Sequence, residues 1–121
     1  MLTWPRAVRV FVYTQPTDMR RSFDRLAAMV EQTLGHDPFS GHLFVFVNRR
    51  TDRMKILFWD RSGFCLFYKR LEQGVFHLPA STSEGLEIDV TRLALILEGL
   101  DLSGAVQRKR YRRKRTSSAT L

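Results

Sequence analysis

Apolar and polar positions alternate in several distinct rhythms along this chain. Val8 to Tyr13 reads Val-Arg-Val-Phe-Val-Tyr, a β-branched and aromatic run that predicts a strand. Gln15-Pro16-Thr17 ends it. Met19, Phe23, Leu26, Val30 and Leu34 then recur at helical spacing, while Arg20, Arg21, Asp24, Arg25 and Glu31 fall largely off that stripe. The pattern predicts a helix over about 18–34, capped by Thr17 or Asp18, whose side chains can accept from free first-turn N–H groups. Gly35 supplies a left-handed stop and Asp37-Pro38 prevents continuation.

From residue 42 the rhythm shortens. His42–Asn48, Arg53–Asp60 and Phe64–Leu71 each read as strands, joined by connections rich in Asn, Asp, Ser and Gly that are short enough for hairpins. In the middle strand Met54, Ile56 and Phe58 form an unbroken apolar set and are expected to face the core. Lys55 and Trp59 are then expected to point away from it. Val75–Leu78 is expected to add a fourth strand to this antiparallel meander, closed by Pro79. After a polar loop, Leu86, Ile88 and Val90 alternate with Glu87 and Asp89 as a short strand. Thr91 is expected to cap a second helix running to about Leu100, with Leu93, Ile96, Leu97 and Leu100 on one face and Gly99 weakening its end.

The expected fold class is α+β: an antiparallel sheet of about four or five strands with two helices packed on one face. The expected organisation is one domain over 1–107 and a disordered basic tail over 108–121, where no apolar face survives. The meander leaves edge strands that must be covered or paired, so a homodimer through an edge is an open expectation.

Charge sharpens this division. The chain of 121 residues carries a net +8, yet residues 1–107 hold thirteen basic and twelve acidic groups. Arg108, Lys109, Arg110, Arg112, Arg113, Lys114 and Arg115 supply the excess. A pI near 10.6 therefore describes the tail more than the body. Cys65 is the single cysteine, which excludes an intrachain disulfide and suits a reducing, cytoplasmic setting. No apolar run approaches the ~18 residues of a membrane span, and the first residues lack a secretory apolar region. No membrane association is expected.

Little in the sequence supports catalysis. Asp52 and Asp60 flank one strand and so lie at opposite ends of it, too far apart for a carboxylate dyad. His36, His42 and His77 show no metal-ligand spacing, and neither a metal nor a cofactor is expected. Cys65 lies among Phe64, Leu66 and Phe67, the setting of a core cysteine rather than a nucleophile. No glycine pattern for phosphate binding occurs. A small nuclease would need paired carboxylates or a metal cluster, so the chain is not expected to be an enzyme.

Nucleic-acid binding is better supported. Arg49, Arg50, Arg53, Lys55 and Arg61 cluster on the first hairpin and its turns, and Lys69 and Arg70 follow on the next strand. Phe58, Trp59, Phe64, Phe67 and Tyr68 interleave with these cations. Such a face can grip phosphates and stack on unpaired bases, although turn arginines are often merely solvated and rings often serve a core. The tail cations Arg108 to Arg115 repel one another unless neutralised, and phosphate backbones do this with release of counterions. A solubilising tail is the plainer alternative.

Several separated segments also resemble a known family. They are Pro16-Thr17-Asp18-Met19-Arg20, Asp37 to Phe46, Lys55-Ile56-Leu57-Phe58-Trp59-Asp60, Gly63 to Gly74, and Leu97-Glu98-Gly99-Leu100. In this order and spacing they resemble the TnpB accessory protein of insertion-sequence-66-type transposable elements, which is distinct from the RNA-guided nuclease of the same name. The resemblance covers about residues 4–102 and leaves out the tail. It implies a bacterial protein of a mobile element, acting beside a larger transposase that carries the catalytic carboxylates. It transfers no catalytic residue. The expected function is a non-enzymatic accessory factor for DNA transposition, with DNA and the element's transposase as partners. An adaptor that contacts only protein is the alternative.

Because the tail has no apolar face to bury, removing residues 108–121 is expected to leave the melting temperature nearly unchanged. A large loss on thermal denaturation followed by circular dichroism would show that the tail docks on the body.

Overall fold

A computed structural model describes residues 7–101 and 106–107. Five strands form one sheet in the order β4-β3-β2-β1-β5. They are β1 (Val10–Tyr13), β2 (Leu43–Val47), β3 (Arg53–Asp60), β4 (Gly63–Arg70) and β5 (Gly85–Ile88). Helix α1 (Phe23–Gln32) joins β1 to β2, and α2 (Val90–Leu97) follows β5. A short ladder pairs β6 (Leu100–Asp101) with β7 (Val106–Gln107). The residues 108–121 expected to form a disordered tail lie outside the described residues.

The α+β class and the five strands agree with the sequence expectation, and β3 has the bounds read from it. The sheet is mixed rather than purely antiparallel. β2, β3 and β4 form the meander, and β5 also runs antiparallel to β1. β1 and β2 are parallel, because a helix-length crossover separates them.

Both faces of the sheet are covered, which corrects the placement of the two helices on one face. On one face Leu26 and Val30 of α1 pack with Phe11, Phe44, Phe46 and Leu57. On the other, Leu93 and Ile96 of α2 pack with Val10, Val12, Leu43, Val45, Met54, Ile56 and Phe58. Successive side chains of a strand point to opposite faces, so a strand buried on both sides reads as a continuous apolar run. All five residues of β2 are buried for this reason.

Val75–Leu78 is not a strand. Phe76 instead turns its side chain into the α2-side core, 2% exposed, and its N–H donates to the Thr51 carbonyl at 2.6 Å. Tertiary burial overrides strand propensity here. Helix α2 is capped by Asp89 rather than Thr91: the Asp89 carboxylate accepts from Arg92 N–H at 2.7 Å.

The expected start of α1 near residue 18 is also corrected. The helix begins at Phe23, after an extended Ser22 that makes no side-chain cap. Met19 and Arg21 carbonyls would have entered the helical ladder. Each instead accepts a hydrogen bond from Lys55 Nζ at 2.7 Å. Lys55 is therefore only 6% exposed, and the expectation that it points away from the core fails. It lies on the α1 side, like Leu57 on the same strand, beneath the segment that precedes the helix.

A buried ammonium is stable only while its donors are satisfied, and the two carbonyls in turn depend on it. Lys55→Met keeps the volume and removes those bonds. It is expected to lower stability by about 2–4 kcal/mol and the melting temperature by roughly 10–25 °C. A loss under ~0.5 kcal/mol, the range of an exposed substitution, would contradict the burial of Lys55.

Candidate nucleic-acid interface

Two loops meet at the end of the sheet where β2 passes to β3. Asn48 builds the first. Its Oδ1 accepts from the N–H groups of Asp52 and Arg53, and its Nδ2 donates to Asp52 Oδ1 at 2.7 Å. Thr51 sits at φ 56°, in the left-handed region a tight turn requires. The Leu71 and Phe76 N–H groups donate to Asp52 and Thr51 carbonyls, so the loop is tied from outside as well. Arg49 and Arg50 are its exposed tip.

The second loop is residues 16–22. Thr17 N–H donates to the Val47 carbonyl at 2.7 Å, which fastens the loop to β2. Asp18 closes a turn: its carboxylate accepts from Arg20 N–H at 2.9 Å, and its carbonyl accepts from Arg21 N–H. The Arg20 guanidinium lies against the same carboxylate, with Nη2 2.7 Å from Oδ2. Asp18 is thus a turn former rather than a helix cap. Lys55 fixes the following carbonyls from below.

Between the loops is a cleft of about 750 Å³. Arg20, Arg21, Arg49, Arg50 and Arg53 line it, with Asp18, Asp52 and Tyr68. The two carboxylates are already engaged, by Arg20 and Asn48 respectively. Among the described residues neither Arg49 nor Arg50 has an ion-pair partner. The cleft therefore presents an excess of positive charge, suited to phosphate or another anion.

The structure sorts the predicted cations. Arg49, Arg50 and Arg53 come together at the cleft. Lys55 is buried and does not line the cleft: it is committed to the Met19 and Arg21 carbonyls and faces the Tyr68 ring, 4.8 Å from its centroid. Its assignment to an exposed phosphate-binding face is corrected for that reason. Lys69 points to the other side of the sheet and donates to the Leu97 carbonyl at 2.8 Å. There it satisfies a free carbonyl at the end of α2, where a cation also suits the helix dipole. Arg70 is exposed and pairs with Glu72 at 2.8 Å. Arg108, Lys109, Arg110, Arg112, Arg113, Lys114 and Arg115 lie outside the described residues. Arg20 and Arg21 were missed as site residues because helical periodicity placed them on a solvated face. The Pro16–Arg20 motif was the signal that could have found them.

At the opposite end of the β3–β4 hairpin, Phe39, Trp59 and Phe64 form an aromatic cluster with centroids 5.0–5.2 Å apart. Phe39 is 56% exposed, so this cluster reaches the surface. Trp59 shares the face of Lys55 but is half-buried under its two neighbours. Among the described residues no group of three His, Cys, Asp or Glu side chains could hold a metal. His36 packs on the Phe11 ring and His42 Nδ1 accepts from Arg9 N–H. Cys65 is half-buried against the α2-side core. No helix among the described residues is long and apolar enough to cross a membrane.

A family model described as IS66 Orf2 like protein matches residues 8–107. The uncharacterized protein y4jC of Sinorhizobium fredii is 39% identical over 108 residues, spanning 89% of this chain and 92% of that one. A second protein of the same organism, y4hO, is 39% identical over 101 residues, spanning 84% and 88%. No solved structure matches.

The Arg20 guanidinium, by hydrogen bonding, holds the Asp18 carboxyl at a pKa of about 2, below the usual carboxylate range. What this pair contributes to loop order is complete above that usual range and is lost as pH falls through about 2. In an NMR titration Asp18 is expected to show a midpoint near 2, and Arg20→Ala to raise it part of the way toward the usual range, because the residue-20 N–H still donates to the carboxylate. An unchanged midpoint in Arg20→Ala would remove the pair as the cause.

Proposed function

The chain belongs to the IS66 Orf2-like family, and from that premise we propose that it is an accessory factor of insertion-sequence transposition that binds DNA through the arginine cleft. The family is an accessory family rather than an enzyme class. The observation that carries the reading is that five arginine residues line one cleft whose two carboxylates are already occupied, with Arg49 and Arg50 free of ion pairs among the described residues. Arginine meets phosphate with a planar fork of donors, and exposed arginines without partners release condensed counterions on binding. The cations of residues 108–121 add to this attraction in the same reading. The element's transposase is the protein partner.

The aromatic cluster of Phe39, Trp59 and Phe64 favours a second role, as the surface that contacts the transposase. Interfaces are enriched in such rings. On the adaptor alternative this surface is the whole function, and Phe39→Ser lowers capture of the transposase while DNA binding is absent from the start.

The test is binding of the full chain to duplex DNA over a salt series. Replacing both Arg49 and Arg50 by Ala is expected to weaken binding about uniformly across sequences. It should also flatten the slope of log K against log[salt] by about 2, from ~0.9 per phosphate contact. Both side chains are exposed, so the fold should hold. An unchanged slope would remove the cleft from DNA binding.

A further inference from the structure

We propose that the cleft takes an unpaired nucleotide, with its base stacked on Tyr68 and its phosphates on the arginines. The inference rests on the DNA-binding reading above and names its substrate class: single-stranded DNA, or a strand end opened from a duplex.

Tyr68 is among the most exposed large rings of the described residues, at 48%, and it lies on the edge strand β4 at the wall of the cleft. Its surroundings fix it in place. The Lys55 ammonium, itself buried, stands 4.8 Å from the ring centroid. The exposure therefore belongs to the opposite face and the rim. The Tyr68 hydroxyl accepts a long hydrogen bond, 3.4 Å, from Arg53 Nη1. A ring held from behind and at its rim, with one face open, is a stacking platform that needs no ordering when a base arrives.

The arrangement selects against a duplex. In a duplex both faces of every base are covered by neighbouring base pairs, so only an unpaired base can lie on the ring. The cleft, at about 750 Å³, falls within the range of pockets that enclose a small ligand. That suits a nucleotide, whereas a double helix would meet the rim arginines through its phosphates without placing a base in the cleft. Arg49 and Arg50 stand at the rim of the same cleft, free of ion pairs among the described residues, where the flanking phosphates would pass.

The experiment compares a fluorescent single-stranded oligonucleotide, the same strand with abasic sites, and the matching duplex, each bound to the full chain at fixed salt. Single strand is expected to bind more tightly than duplex, and the abasic strand to lose about 10-fold relative to the intact one. Tyr68→Leu, which keeps an apolar cover over Lys55, is expected to lose the same factor on the intact strand. It should lose nothing on the abasic strand or the duplex. Tyr68→Phe, which keeps the ring and loses only the long bond from Arg53, should retain most of the preference for the intact strand. A free mononucleotide that competes as well as the strand would replace DNA by a nucleotide as the occupant and overturn the proposal. Equal binding of intact and abasic strands, with Arg49→Ala/Arg50→Ala still weakening both, would overturn base stacking and leave the DNA reading standing. Indifference to both the arginine and the tyrosine changes would overturn the two together.

Discussion

One buried ammonium group joins the sheet to the segment that precedes α1. Lys55 Nζ donates to the carbonyls of Met19 and Arg21, and the Tyr68 ring covers another side of it. No carboxylate pairs with it among the described residues. Its compensation comes from backbone dipoles and a ring face, in a setting where an uncompensated charge would cost several kcal/mol. The arrangement is reciprocal. The segment 19–21 is withheld from the helix because the Met19 and Arg21 carbonyls serve the lysine, and the lysine is tolerated inside because those two carbonyls are there.

The placement of the cleft follows from this. Withholding residues 18–22 from α1 leaves a turn that Asp18 can close, and the turn carries Arg20 and Arg21 toward the β2–β3 loop. Asn48 sets that loop in the same way, by satisfying the donors that its tight path leaves free. At the other end of the hairpin, Trp59 stands four residues beyond Lys55 on the same face, roughly 14 Å away at ~3.4 Å per residue. The arginine end and the aromatic end are therefore separate surfaces on one rigid hairpin. On the proposed function, the first surface takes DNA and the second the transposase.

Much of the framework was legible in the sequence. The spacing of Leu26 and Val30 marked the buried stripe of α1, and Gly35 takes the expected left-handed conformation, φ 70°, although the helix already ends at Gln32 with Thr33 as its C-cap. The alternation over Arg53–Asp60 gave the strand its bounds. What misled was the second face of that strand. Leu57, between Lys55 and Trp59, was the sign that both faces are covered, and a lone lysine at a central position outweighed it. A long polar side chain can bury its stem and still find partners for its head, which residue type alone does not reveal. The start of α1 was hidden for the same reason. Periodicity through Met19 suits a helix, and only the tertiary bond to Lys55 ends it. The segment resemblance did join Pro16–Arg20 to Lys55–Asp60, and the structure gives that association a physical contact. Arg20 and Arg21 became visible as cleft residues only once that contact was known.

The central claim is that Lys55 orders residues 16–22 and so builds the cleft. Native-state hydrogen exchange tests it most directly, comparing the unaltered chain with Lys55→Met under conditions where both remain folded. The account predicts that the amides of Thr17, Arg20 and Arg21 lose protection by about tenfold or more relative to those of β2, which keep theirs. Protection of residues 17–21 that stays in step with the sheet in Lys55→Met would show that the segment is ordered without the lysine, and would contradict the account.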